Sequence, residues 1–205
     1  MRRAMLALAL IPLCVPAVAQ TPPMTVPGAP DVSRVVAGNY KADPNHTQVE
    51  WTVNHFGLSM FHGFFAESTG TLTLDPAHPA AAAVTMEIPI AKVLTTSAAL
   101  NDGLRSPNFF DAAKYPTATF TSTKVVPTGT TATIYGNLTL HGVTKPVVLQ
   151  ASFTGAGDNP MSKTPTVGFE ATGTIKRSDW GINQYVPLIS DQVDLRITVA
   201  FERQR

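Results

Sequence analysis

A single cysteine, Cys14, occurs in the 205 residues, and it falls inside an apolar stretch at the N terminus. Ala4 to Val15 forms that stretch, Arg2 and Arg3 precede it, and Ala17-Val18-Ala19 follows as an A-x-A cleavage site before Gln20. The order is that of a secretory signal over residues 1–19, with an apolar run too short to anchor in a bilayer. Its removal leaves no disulfide and no thiol nucleophile, so burial of apolar surface has to hold the fold. Charge of either sign is also scarce. Cleavage takes Lys+Arg from 15 to 13 against 14 acids, a net charge of −1. Scattered and nearly balanced charge points to no nucleic acid and no anionic surface as partner. Export without disulfides fits a bacterial periplasm.

Catalytic patterns are missing too. The five histidines, His46, His55, His62, His78 and His141, include no pair at the two- to four-residue spacing of common metal sites. Gly57-Leu58-Ser59-Met60-Phe61 lacks the second glycine of a nucleophile elbow. Carboxylates do not gather on the apolar faces, which leaves paired-acid chemistry unsupported. No glycine loop is built to cradle a phosphate. The expectation is a binding protein with no catalytic residue, no metal and no cofactor.

What is present is alternation. Residues 20–37, with prolines at 22, 23, 27 and 30, read as an extended linker outside the fold. Beyond it, eight stretches place apolar side chains on every second position, the pattern of strands with one buried face. They carry in turn Trp51, Val53 and His55; Phe64 and Leu72; Met86 and Ile88; Phe120; Ile134 and Leu138; Leu149; Phe169; and Val193 to Phe201. The opposite faces are rich in threonine and charge, as solvated strand surfaces are. Pro89 marks a bulge or an unpaired edge. His141-Gly142 and Gly155 to Pro160 read as breakers.

Eight such strands predict an all-β, antiparallel, lipocalin-like barrel, wide enough inside for packed side chains or one small ligand. Small inward residues such as Gly70, Gly136 and Gly173 fit either outcome: they leave room, or they accept large neighbours in a packed wall. Between strands three and four runs a connection of some twenty residues. Ser97 caps a short helix there over Ala98 to Leu104, and the aromatic pair Phe109 and Phe110 follows. So long a connection in a compact barrel is characteristic of a lid.

Several ordered segments carry a resemblance. They include Val49-Glu50-Trp51-Thr52-Val53-Asn54-His55, Gly63-Phe64-Phe65, Leu104-Arg105-Ser106 and Asn108-Phe109-Phe110-Asp111. Gly136-Asn137-Leu138-Thr139-Leu140-His141-Gly142-Val143-Thr144-Lys145-Pro146-Val147 and Arg177-Ser178-Asp179-Trp180-Gly181-Ile182 follow. In order and spacing the chain, over 38–205, resembles the YceI-like family of bacterial periplasmic polyisoprenoid-binding proteins. The resemblance implies a barrel holding a polyisoprenoid or quinone-like lipid, with roles in transport or stress response. Fatty acids or acyl amides are the alternative cargo, and an enzyme acting on a lipid-like substrate is the more distant one.

On this reading the tail contacts are Trp51, Val53, His55, Phe64, Leu72, Met86, Ile88, Phe109, Phe110, Phe120, Ile134, Leu138, Leu149, Phe169, Trp180 and Ile182. Arg105, Lys124 and Lys145 are the head-group candidates at the mouth. Transient membrane contact during ligand exchange and a homodimer are the further expected associations. Gly103 stands where the family usually carries a histidine, and Trp51 and Trp180 replace the more common phenylalanine.

Overall fold

Every alternating stretch forms a strand, since alternate side chains share one buried face while backbone groups pair across the sheet. The structure, a computed structural model, describes residues 25–205; the signal read at 1–19 and the start of the linker lie outside the described residues. The strands are β1 (Gly38–Ala42), β2 (Gln48–His55), β3 (Ser59–Phe65), β4 (Thr69–Leu74), β5 (Ala83–Pro89) and β6 (Val93–Leu94). After these come β7 (Thr117–Thr128), β8 (Thr131–Leu140), β9 (Val143–Asp158), β10 (Pro165–Lys176) and β11 (Gln192–Arg203). One α-helix among the described residues, α1 (Ala98–Arg105), lies between β6 and β7.

The eleven segments are eight staves. β1 and β2 follow one another along β11, with Tyr40 opposite Arg203 and Trp51 opposite Leu195. β3 and β4 run likewise along β2 and β1, and β5 and β6 along β4 and β3. Each stave pairs antiparallel with its neighbours in sequence, and the first pairs with the last. The expected eight-stranded closed barrel is therefore the fold, and among the described strands only the two-residue β6, paired with β3 alone, keeps an open side. Pro89, lacking a donor, ends β5, and a 3₁₀ turn over Ile90–Lys92 leads into β6. Ser97 caps α1 as expected, its side chain accepting from Leu100 N–H.

The alternation slips between β3 and β4, besides the bulges within β7 near Thr123 and within β9 near Thr154. Gly63 and Phe65 are buried in β3, but Leu72 is buried in β4, a change from odd to even positions. Glu67 takes a left-handed conformation (φ 56°) between the two strands, which inserts the odd residue. A one-residue slip flips every side chain to the other face. Phe64, expected to face inward, is consequently 38 % exposed, whereas Phe65 is 8 % exposed.

Residues 25–37 do not hang free of the barrel. β9 runs on through Gly155 and Gly157, which sequence alone marks as breakers, because the missing side chains admit a second stretch of backbone. A Cβ on Gly157 would lie 2.3 Å from the Pro27 carbonyl oxygen. Ala29 and Ala156 exchange N–H···O bonds of 3.1 and 2.9 Å. Asp31 caps a 3₁₀ turn over Val32–Arg34, Val35 packs on the core, and the Tyr40 hydroxyl donates to the Val36 carbonyl. Prolines at 27 and 30 leave the N–H of Ala29 between them, and that donor suffices for docking.

The barrel interior divides into two halves. Around Tyr40, Leu72, Val167, Val199 and Phe201 the packing is solid. Phe153, Phe169 and Phe201 meet edge to face there, with ring centres 5.8 and 6.4 Å apart, a favoured aromatic geometry. Small residues accept large neighbours: the Phe120 ring lies 2.3 Å from where a Gly136 Cβ would be. Of the two readings of the glycines, the packed wall holds at that position. The other half, under α1 and the loop after it, is open.

Candidate functional site

Stave by stave, the open half is walled by apolar side chains around a cavity of about 570 Å³, within the roughly 300–1,000 Å³ range of small-molecule sites. Val49, Trp51, Val53 and His55 line it from β2, and Phe61 and Phe65 from β3. Ile88, Ala118, Leu138 and Leu140 form the wall opposite, with Val193 and Leu195 of β11 beside β2. Over the mouth lie Leu100, Gly103 and Leu104 of α1, then Phe109 and Phe110. Ile182, Tyr185 and Ile189, from the connection between β10 and β11, complete the rim. The lined run of β2, six steps from Val49 to His55 at about 3.4 Å each and tilted about 40°, gives a depth of roughly 15 Å. That is a pocket at one end of the barrel, shorter than a passage through its whole length.

The lid is held lightly. Phe110 meets Phe65 edge to face at 5.4 Å, and Phe109 lies 6.2 Å from Tyr185. No residue of α1 is fully buried. A Cβ on Gly103 would meet nothing within 4 Å, so the glycine that departs from the family pattern enlarges the open space beneath the helix.

The opposite lip is pinned. Arg177, 7 % exposed, is the one charged residue on the cavity wall. Its Nε donates to Ser190 O (2.9 Å), Nη1 to Ile182 O (2.9 Å) and Gln184 O (2.8 Å), and Nη2 to Ile189 O (2.8 Å). Five donors in a rigid fork make arginine suited to gathering carbonyls in this way. Burial pushes its pKa down, and Asp191 offsets part of that fall. Asp191 accepts from Ser178 N–H (2.8 Å) and Ser178 Oγ–H (2.7 Å). Burial pushes the Asp191 carboxyl up, but these bonds and the charges of Arg177 and Lys176 outweigh it and hold the pKa below its usual value.

Of the residues expected to touch a ligand, Trp51, Val53, His55, Ile88, Phe109, Phe110, Leu138 and Ile182 line the cavity. Phe120, Leu149, Trp180, Ile134 and Met86 pack in the core behind that lining. Leu72 and Phe169 belong to the closed half, and Phe64 lies outside. None of the three head-group candidates is on the cavity wall. Arg105 bonds Asp102 (2.6 Å) and the Ala91 carbonyl (3.1 Å), Lys124 lies over the Tyr135 ring on the exterior, and Lys145 is exposed on β9. Each is a surface cation whose stem has a partner or water nearby, so none is drawn inward. His55 meets the Phe56 ring at a tilt of 59° with ring centres 4.1 Å apart, and His62 bonds Glu50 and Thr52 on the exterior. Among the described residues, no three of His, Asp and Glu are grouped so as to hold a metal.

Sequence reasoning missed Arg177, Phe61, Phe65 and Tyr185. Arg177 stood inside a quoted motif, but a buried arginine is not distinguishable from a solvated one by pattern. Phe65 was hidden by the slip at Glu67.

A closed antiparallel barrel with a lidded apolar pocket at one end places the protein in a lipocalin-like architectural class. The chain belongs to the YceI-like domain family, whose model matches residues 40–201. It is 42 % identical over 172 residues to Protein YceI of Escherichia coli O157:H7, covering 83 % of this chain and 90 % of that protein. The crystal structure of the Campylobacter jejuni YCEI protein superposes with a TM-score of 0.66 at 30 % identity, over 74 % of this chain and 90 % of that one. A polyisoprenoid binding domain from Saccharophagus degradans shares the fold, with a TM-score of 0.61 at 17 % identity over 80 % and 98 % of the two chains. Among the described residues no helix is long and apolar enough to cross a membrane.

Proposed function

We propose that the protein is a periplasmic carrier that holds the apolar chain of a polyisoprenoid, such as an isoprenoid quinone, in the open half of its barrel. The observation that carries the reading is the cavity wall, aliphatic and aromatic except for His55, Tyr185 and an arginine whose donors are turned to backbone carbonyls. Such a wall offers burial at about 0.8 kcal/mol per methylene and few directed polar contacts. It therefore suits a long uncharged tail and discriminates weakly among tails. The Saccharophagus degradans domain, described as polyisoprenoid binding, lends the same fold to that cargo. With about 15 Å of depth the pocket takes the inner part of a long chain, and the head group lies at the rim beside Tyr185, Phe109 and Gly103. The reading assigns the protein no catalytic step.

Native mass spectrometry of gently purified protein, followed by solvent extraction, tests the assignment. A co-purifying prenyl or quinone mass is expected. A fatty acid or acyl amide mass instead transfers the pocket to the alternative cargo, and protein that neither carries nor takes up any such lipid refutes the carrier reading.

A further inference from the structure

Three segments that border the mouth carry no Asp, Glu, Lys or Arg: residues 54–61, 93–101 and 181–190. At the chain's 14 % charged content, those 27 positions would hold about four such residues. The same segments expose large apolar side chains: Phe56 (49 %), Leu58 (86 %), Leu100 (48 %), Tyr185 (53 %) and Leu188 (61 %). They are contiguous around one side of the opening. The Phe56 N–H donates to Leu188 O (2.8 Å), His55 bridges to Ile189, and Phe56, Leu100 and Tyr185 also line the cavity. The connections at the opposite end of the barrel carry Asp75, Asp158 and Lys163 instead. One side of the mouth is thus apolar and uncharged, while the rest of that end carries Asp102, Arg105, Asp111 and Lys114 on the far side of α1 and the loop after it.

We infer that this crest docks on the surface of a lipid bilayer and that cargo passes between membrane and cavity through the docked mouth. The inference rests on the carrier reading above. Water is a poor intermediate for such cargo, since each exposed methylene costs about fourfold in partition. A mouth pressed into the interfacial region spares the chain that exposure. The crest has the composition of an interfacial anchor: aliphatic side chains to enter the acyl boundary and a tyrosine suited to the head-group level. It lacks the lysine and arginine clusters that bind anionic lipid, so docking depends on apolar burial and is insensitive to salt.

The test compares wild type with a Leu58→Glu/Leu188→Glu double variant. Both positions are exposed and neither lines the cavity, so folding and loading from detergent micelles carrying ubiquinone stay unchanged. With phosphatidylcholine vesicles containing ubiquinone, wild type is expected to co-float and extract the quinone, equally at 0.1 and 0.5 M salt. The double variant is expected to lose both by at least tenfold. Wild type that loads from micelles but ignores vesicles, or a variant that extracts as fast as wild type, overturns the docking while the carrier reading stands. A soluble dimer that the two substitutions dissociate, seen by sedimentation velocity, also overturns it by giving the crest to a second copy. Wild type that loads from neither source refutes the cavity reading and the docking together.

Discussion

Ala118 offers a direct way to close the pocket without harming the barrel. It is 4 % exposed, lies opposite Ile88 across the β5–β7 ladder, and faces the cavity. In Ala118→Phe the added ring projects into open volume. Burying a phenylalanine side chain contributes about 1.5–3 kcal/mol, set against an overpacking cost of about 1–3 kcal/mol. The empty protein should therefore stay within about 2 kcal/mol of wild type. For a domain of this size that is a melting-temperature change of no more than about 8 °C. Ligand at a hundred times its Kd stabilises wild type by about 2.7 kcal/mol, an upward shift of about 5–11 °C. In Ala118→Phe that increment should vanish. The control is Ala151→Phe, 6 % exposed between Ala132 and Ala171 with no cavity beside it, which should destabilise the empty protein. Circular dichroism melts with and without an isoprenoid quinone from micelles read all four quantities. An undiminished ligand increment in Ala118→Phe would refute the placement of the chain beneath this wall.

Other consequences are as specific. Arg177→Met should cost about 3 kcal/mol or more, since one buried and three part-buried carbonyls lose a charged donor, and chemical denaturation measures the loss. Because the Asp191 pKa is depressed in the folded state, its contribution is present above the ordinary carboxylate value near 3.9 and lost as pH falls through the lower folded value. Asp191→Asn should accordingly lower the melting temperature at neutral pH, where the contribution is present, and change it least in acid, which flattens the acid limb of melting temperature against pH. Gly157→Val should displace residues 27–29 from β9, exposing that segment to proteolysis at an otherwise intact barrel. Hydrogen exchange should find the α1 amides opening faster than those of residues 177–191; equal rates would contradict the unequal holding of the two lips.

The barrel was legible because alternation and closure are linked: a strand with one apolar face needs partners, and eight such faces can enclose a core. The helix was legible from Ser97 alone, whose hydroxyl does the local work of starting it. Part of the cavity wall followed from the same alternation, from Trp51 to His55 and at Ile88 and Leu138. It failed where the phase depended on one dihedral, at Glu67, which exchanged Phe64 for Phe65. Alternation also says which face is inward but not at what height the interior is empty, so Leu72 and Phe169 read as cavity wall although they pack in the closed half. Gly136 shows why: its small size was consumed by the neighbouring Phe120 ring. The head-group candidates failed for a different reason. Arg105, Lys124 and Lys145 are cations expected at the mouth, whereas the cation on the wall is one whose charge serves the backbone.

Arg177 ties four carbonyls of one lip to a single side chain, so that lip has no small steps of opening available to it. The facing lip is tied more lightly: Arg105 reaches one carbonyl, that of Ala91, Leu104 is half-buried, no residue of α1 is fully buried, and Gly103 stands over open space. The pocket is built as a jaw with one fixed and one hinged side. On the proposed carrier reading, cargo passes the lighter side, and the fixed side keeps the shape of the opening the same from one load to the next.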